Sequence, residues 1–314
     1  MNYYRRTNNI ISQFLLLILT LLITSCQSKN IEIKVLQNLV YGTNQGKTLL
    51  FDLYLPENKP DKPLPILIYI HGGGWQEGNK EYCPGKIVVQ RNYAMACISY
   101  RFSSEAIFPA QIHDVKTAVR WLRKNAEKYN LDPNKFGAWG PSAGGHLSAL
   151  LGTSTGVKKL EGTNNNQEIS SAVQAVCVWY PPTDFTQVSP AFEEAITAEV
   201  EEKYKNKKWY IYTEATHKLL GGPVSQKLEL SALANPITHI DPQDPPFLIM
   251  HGEKDNIVPI SQSVLLADAL SEKGVEVEFI KKYDWGHSHV SRKGEPFDPV
   301  LIDMAMDFFD KHLK

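Results

Sequence analysis

Hydrophobic residues follow two different periods along the chain. Ile66–Ile70 (ILIYI), Tyr93–Tyr100, Val173–Trp179 and Phe247–His251 (FLIMH) are short, nearly continuous apolar runs, many of them β-branched, as in strands buried on both faces. Val275–Lys281 alternates apolar and polar residues, as a strand with one exposed face does. Val35–Tyr54 reads as two paired strands with Asn44-Gln45-Gly46 as the turn, and Pro56–Pro65 as a surface loop. Between the runs the period changes to that of a helix. Val115, Ala118, Val119 and Leu122 fall on one face and predict a helix over Gln111–Tyr129. Further helices are expected over Ser142–Leu151, Ile260–Glu272 and Val300–Leu313. Strands alternating with helices predict an α/β fold: a mainly parallel central sheet, right-handed crossovers and helices on both faces.

Pro190–Thr216 breaks this rhythm with a run of glutamates, a run of lysines, and then Trp209-Tyr210-Ile211-Tyr212. The bland reading is a solvated helix and a packed aromatic patch. Its place after the sixth strand also suits a cap insertion, spanning about residues 185–235, with Trp209 and Tyr212 facing substrate.

The N-terminus changes the domain count. Arg5 and Arg6 precede an apolar stretch, Ile10–Ile23, that is short for a membrane span, and small residues then lead into Cys26. This resembles a bacterial lipoprotein signal: residues 1–25 removed, Cys26 lipidated, residues 26–38 a tether, and residues 39–314 the catalytic domain. The expected location is the cell envelope, outer membrane or periplasm-facing, with membrane contact through the lipid anchor only; a plain secreted enzyme and a weak signal anchor are the alternatives. Composition agrees with one large globular enzyme domain: 314 residues, 43% hydrophobic and 21% charged. Losing Arg5 and Arg6 reduces 33 basic residues to 31 against 34 acidic ones, a net charge of −3, which argues against a nucleic-acid partner. Cys83, Cys97 and Cys177 remain. An odd number cannot pair completely, and Cys97 and Cys177 lie in apolar strands, so buried thiols are expected rather than a disulfide framework. No C-x-x-C or clustered His/Cys spacing suggests a metal. His113, His146, His217 and His239 are scattered and read as structural or surface residues.

The chemistry is carried by four segments, each at the end of a predicted strand. Gly140-Pro141-Ser142-Ala143-Gly144 is a G-x-S-x-G between a strand and a helix, where a sharp turn would expose a serine nucleophile. His71-Gly72-Gly73-Gly74-Trp75 follows Ile70; unhindered backbone N–H groups there suit an oxyanion hole. Gly73, Gly74 and Ala143 are the assigned donors, with the choice between Gly72 and Gly73 open. Asp255, beyond Phe247–His251, is the expected acid, with Glu253 its rival. His287, beyond Val275–Lys281, is the expected base, with His289 its rival. The order Ser142, Asp255, His287 is that of α/β-hydrolases.

On these residues the chain resembles the esterase/lipase group of α/β-hydrolases. It most resembles the BD-FAE-like branch of bifunctional feruloyl and acetyl-xylan esterases, close to the hormone-sensitive-lipase group. The likeness runs through His71–Trp75, Phe108-Pro109-Ala110-Gln111 to Tyr129, Asp132-Pro133, Gly140–Leu151, Tyr180–Asp184, Leu220-Gly221-Gly222 and Asp244–Phe247. It implies a serine carboxylic-ester hydrolase that needs no cofactor, acting on small or polysaccharide esters such as acetyl or feruloyl groups of plant polysaccharide. Trp75 is assigned to substrate binding. A general lipase or carboxylesterase, a peptidase of the same fold and a non-catalytic binding module are the alternatives. The chain departs from the pattern in the long, charged stretch Asp184–Leu219, and in Trp285 and Ser288 beside the expected base.

Overall fold

Alternation along the strands sorts the core into two layers. Ile66, Ile68 and Ile70 face one layer, whereas Leu67 and Tyr69 face the other. The computed structural model describes residues 30–44, 46–163, 166–187, 208–287 and 297–314, with backbone alone for 208–210. Its folded unit spans Ile33–Lys314. Cys26, the signal segment, His289 and most of the 190–216 insertion lie outside the described residues.

Eight strands form one sheet in the order β1-β2-β4-β3-β5-β6-β7-β8. They are β1 Ile33–Asn44, β2 Lys47–Pro56, β3 Leu64–Ile70, β4 Ala94–Ile98, β5 Leu131–Pro141, β6 Ala175–Trp179, β7 Phe247–Gly252 and β8 Val277–Lys282. The β1–β2 and β2–β4 pairings are antiparallel and the others parallel. The described helices are α1 Gly85–Gln90, α2 Ala110–Lys124, α3 Ala126–Tyr129, α4 Ala143–Thr153, α5 Lys208–Leu220, α6 Leu228–Ala234, α7 Ser261–Glu272 and α8 Pro299–Leu313. Apolar residues of α2, α4, α5 and α7 fill one layer, and those of α1 and α8 fill the other. This is the α/β-hydrolase architecture expected, with α5 and α6 inserted after the sixth strand.

Three expectations need correction. The sheet begins before Leu39: β1 starts at Ile33, within the expected tether, because Ile33–Leu36 pairs with Leu53–Pro56 of β2. The helix expected over Gln111–Tyr129 is two, α2 and α3, parted at Asn125, whose Nδ2 donates to Trp121 O at 2.8 Å. Such local side-chain bonds compete with helix continuation. Cys97 is not a free thiol; it is bridged to Cys83, with the Cα atoms 6.2 Å apart, inside the span that a disulfide allows. The odd count excluded complete pairing and said nothing against one bridge. Cys177 is free and buried.

Candidate active site

The four predicted segments meet at the C-terminal ends of β3, β5, β7 and β8, the edge where α/β folds place their sites. Ser142 joins β5 to α4 with φ +53° and ψ −124°, a conformation that is strained for a residue with a side chain. Its N–H is held by Trp179 O at 2.8 Å, and its carbonyl accepts from His146 N at 2.9 Å. The turn passes so close to β3 that a Cβ on Gly144 would lie 1.9 Å from Ile70 O, so only glycine fits there.

The Ser142 Oγ lies 3.0 Å from His287 Nε2, and His287 Nδ1 lies 2.7 Å from Asp255 Oδ2. A carboxylate only accepts, so Nδ1 carries the imidazole proton and Nε2 presents its lone pair to the serine hydroxyl. Asp255 Oδ1 accepts from Ile257 N at 2.9 Å and Val258 N at 3.0 Å. Burial pushes the Asp255 carboxyl up, but hydrogen bonds from His251 and His287 and the charge of His287 outweigh it, holding the group ionised well below the usual range. Glu253 is exposed and lies outside this chain of bonds. The two loops are tied by their backbones: Lys254 N donates to Trp285 O at 2.9 Å, and Glu253 N donates to Lys282 O at 2.9 Å.

Gly72, Gly73, Gly74, Ser142, Ala143 and His287 border one chamber of about 600 Å³. Ala143 is the first residue of α4, so its N–H has no partner within the helix. Gly73 has φ +111°, and a Cβ there would lie 2.1 Å from Glu77 O, a close crossing that requires glycine. Gly72 also abuts the nucleophile, since a Cβ on it would meet that of Ser142 at 3.4 Å. Ile211, Tyr212 and Ala215 of α5 border the same chamber. Tyr212 is buried, its hydroxyl 3.4 Å from Gln262 Oε1; the side chain of Trp209 lies outside the described residues. A second chamber of about 550 Å³, bordered by Tyr69, Gly73, Tyr82 and Phe297, also reaches His287.

Trp75 borders the first chamber as well. Its side chain is only 1% exposed, packs edge-on against His146 and Phe185, and donates from Nε1 to His146 Nδ1 at 3.2 Å. Most of the ring is therefore committed to packing that anchors the glycine loop. The sequence reading missed His251, which is buried and lies 3.3 Å from Asp255 Oδ2. Its place at the end of the β7 apolar run was the available signal. Among the described residues, no cluster of three His, Cys, Asp or Glu side chains is arranged to hold a metal.

The BD-FAE family model matches residues 51–270, more than half of the chain. Esterase LipQ of Mycobacterium tuberculosis is 30% identical over 237 residues, which cover 74% of this chain and 52% of LipQ. Esterase LipC of the same organism is 28% identical, covering 86% of this chain and 61% of LipC. The chain thus spans between half and two-thirds of the length of these relatives. Among solved structures, a truncated carbohydrate esterase from gut microbiota superposes with a TM-score of 0.72 at 30% identity, covering 90% of this chain and 97% of that one. A bifunctional GH43-CE protein of Bacteroides eggerthii gives 0.72 at 32% identity, covering 88% and 38%. The family match spans β2 to α7 and contains three of the four site segments, the exception being that of His287: the chain belongs to the BD-FAE family of α/β-hydrolases.

Proposed function

We propose that the protein is a serine carboxylic-ester hydrolase. The observation that carries this is the unbroken chain of bonds from Ser142 through His287 to Asp255, at 3.0 and 2.7 Å, beside the glycine loop. In this reading Ser142 attacks the ester carbonyl and His287 Nε2 takes its proton. The carbonyl oxygen gains charge and is held by N–H groups of Gly73, Gly74 and Ala143. Asp255 keeps His287 in the tautomer that exposes Nε2 and stabilises the imidazolium. The proton then passes to the departing alcohol, and water cleaves the acyl-enzyme by the same steps. The chemistry needs no cofactor. Ser142→Ala should lower kcat/KM on 4-nitrophenyl acetate by at least about 10³-fold while leaving the fold intact. Wild-type turnover in that variant, or no adduct at Ser142 with a fluorophosphonate, would overturn the reading.

We further propose a carbohydrate ester as substrate, with acetyl or feruloyl as the acyl group. Support comes from the likeness to a carbohydrate esterase and to a bifunctional GH43-CE protein, and from two chambers meeting at His287. A bond cleaved at that junction would have room for a sizeable group on each side. Comparing acetylated xylan, methyl ferulate and longer-chain nitrophenyl esters tests this; a preference for long acyl chains with no turnover of either carbohydrate-type ester would sink it. Lipidation at Cys26 and a cell-envelope location remain part of the proposal. The Cys83–Cys97 bridge supports an oxidising compartment. Metabolic labelling with a fatty-acid probe tests the anchor, and a Cys26→Ala protein that still labels would refute it.

A further inference from the structure

Behind the serine, histidine and aspartate lies a second histidine–serine pair. His251 is the penultimate residue of β7, with its side chain fully buried. Its Nε2 is 3.0 Å from Val258 O and 3.3 Å from Asp255 Oδ2, and its Nδ1 is 2.7 Å from Ser263 Oγ on α7. A backbone carbonyl only accepts, so the proton sits on Nε2 and is shared between Val258 O and Asp255 Oδ2. Nδ1 is then the acceptor, and the Ser263 hydroxyl donates to it. Asp255 Oδ2 thus receives His287 from the active-site side and His251 from the core side, while Oδ1 is filled by two backbone N–H groups. The ring of Tyr180 packs against both imidazoles, its centroid 4.5 Å from that of His287 and 6.3 Å from that of His251.

We infer that His251 is a positioning residue for the proposed hydrolysis, acting through Asp255: its Nε2–H fixes the carboxylate oxygen that holds His287. This rests on the reading of Ser142, His287 and Asp255 as the reacting set. With that donor gone, Oδ2 of the buried carboxylate loses one of its two side-chain partners, and only the Oδ1 bonds and His287 still set its twist about the Cβ–Cγ bond. The direction of His287 then varies, while the walls that bind substrate stay in place. The effect belongs to kcat rather than KM. A purely structural role predicts something different, because the bond that ties β7 to α7 is the one from Ser263 to Nδ1.

Two amides separate the roles. Gln at 251 can bring its amide nitrogen to the place of Nε2, and Asn to the place of Nδ1. His251→Gln is therefore expected to keep kcat on 4-nitrophenyl acetate within about threefold of wild type, and His251→Asn to lose about tenfold or more, both with KM within twofold. Ser263→Ala leaves Nε2–H directed by Val258 O, so it should lower the unfolding midpoint and keep kcat within about threefold. The reverse order of the two amides, equal losses in both, or a kcat loss in Ser263→Ala as large as that expected of His251→Asn would overturn the inference. Ser263→Ala decides the matter if an amide variant fails to fold. Ser142→Ala, assayed alongside, keeps the two readings apart: activity surviving there refutes the nucleophile, whereas an inert His251 refutes only the positioning role.

Discussion

Trp75 offers the sharpest contrast between what the motif suggests and what the packing requires. Replacing it with alanine removes a ring that is 1% exposed, lies 5.2 Å from the ring of His146 and 5.6 Å from that of Phe185, and fills the space under the glycine loop. Burial losses of this kind cost about 3–5 kcal/mol. The substitution also orphans His146 Nδ1: the ring cannot turn to find another donor, because its Nε2 is committed to Ala234 O at 2.8 Å. A buried acceptor left without a partner adds about 1–3 kcal/mol. The total, about 4–8 kcal/mol, is comparable with the entire stability of many domains. Trp75→Phe keeps an aromatic ring, loses the donor and should cost about 1–3 kcal/mol from the hydrogen bond alone. Urea unfolding of both variants against wild type measures these losses, and an ester panel on the folded Trp75→Phe protein tests the rival role. An unchanged midpoint together with an altered preference among acyl groups would refute the structural assignment and restore Trp75 to the substrate surface.

Two further outcomes follow from the same geometry. Gly144→Ala puts a methyl where Ile70 O already stands, at 1.9 Å, and two backbones have no flexible end to yield. The variant should be insoluble or slower by about 100-fold, as expected when a nucleophile moves by an ångström; soluble protein with normal kcat would show that the turn has slack. His146 is fully buried, and burial lowers its pKa from 6.5 to about 4, the bond to Ala234 O opposing only in part. Below pH 6.5 the unfolded chain therefore binds a proton that the folded ring refuses until about pH 4. Stability from this group is whole above pH 6.5 and falls through that window by up to about 1.4 kcal/mol per pH unit. Urea midpoints at pH 7.5 and 5.0 check the fall, which His146→Gln should lessen; an identical pH slope in that variant would exclude His146 as the cause.

The parts of the site legible in the sequence are those that local backbone geometry dictates. G-x-S-x-G could be read because the strand-to-helix turn forces a residue type at each step, as the contact at Gly144 makes plain. The acid and base could be placed near strand ends because the order of the chain allows few other positions. What stayed hidden depends on contacts between elements. Exposure separates Glu253 from Asp255, yet both are carboxylates just past the same strand. Trp75 reads as a substrate-facing aromatic because the sequence does not show which way a loop ring turns. Cys83 and Cys97 meet only because the loop after the glycines returns to β4, and β1 is recruited before Leu39 only because β2 offers it a partner. His251 ends an apolar run and reads as core; its chemistry arises when α7 brings Ser263 to one ring nitrogen and the Asp255 loop folds over the other.

Asp255 and His287 are brought together by backbone register rather than by their own loops alone. They follow β7 and β8, which run parallel with Gly252 opposite Lys282, and β8 is the edge strand, only partly buried along its length. A slip of one residue would turn every β8 side chain to the other face and displace the base from the acid. The register is reinforced just beyond the strands, where Glu253 N and Lys254 N bond to Lys282 O and Trp285 O. At Gly252 the two chains come so close that a Cβ would stand 2.2 Å from Trp285 O. The acid–base pair thus sits at a partly exposed edge of the sheet and is held by backbone bonds and a glycine crossing. Within that clamp His251 anchors the acid from the core side, and His287 is held by its bonds to Asp255 and Ser142 and by the ring of Tyr180.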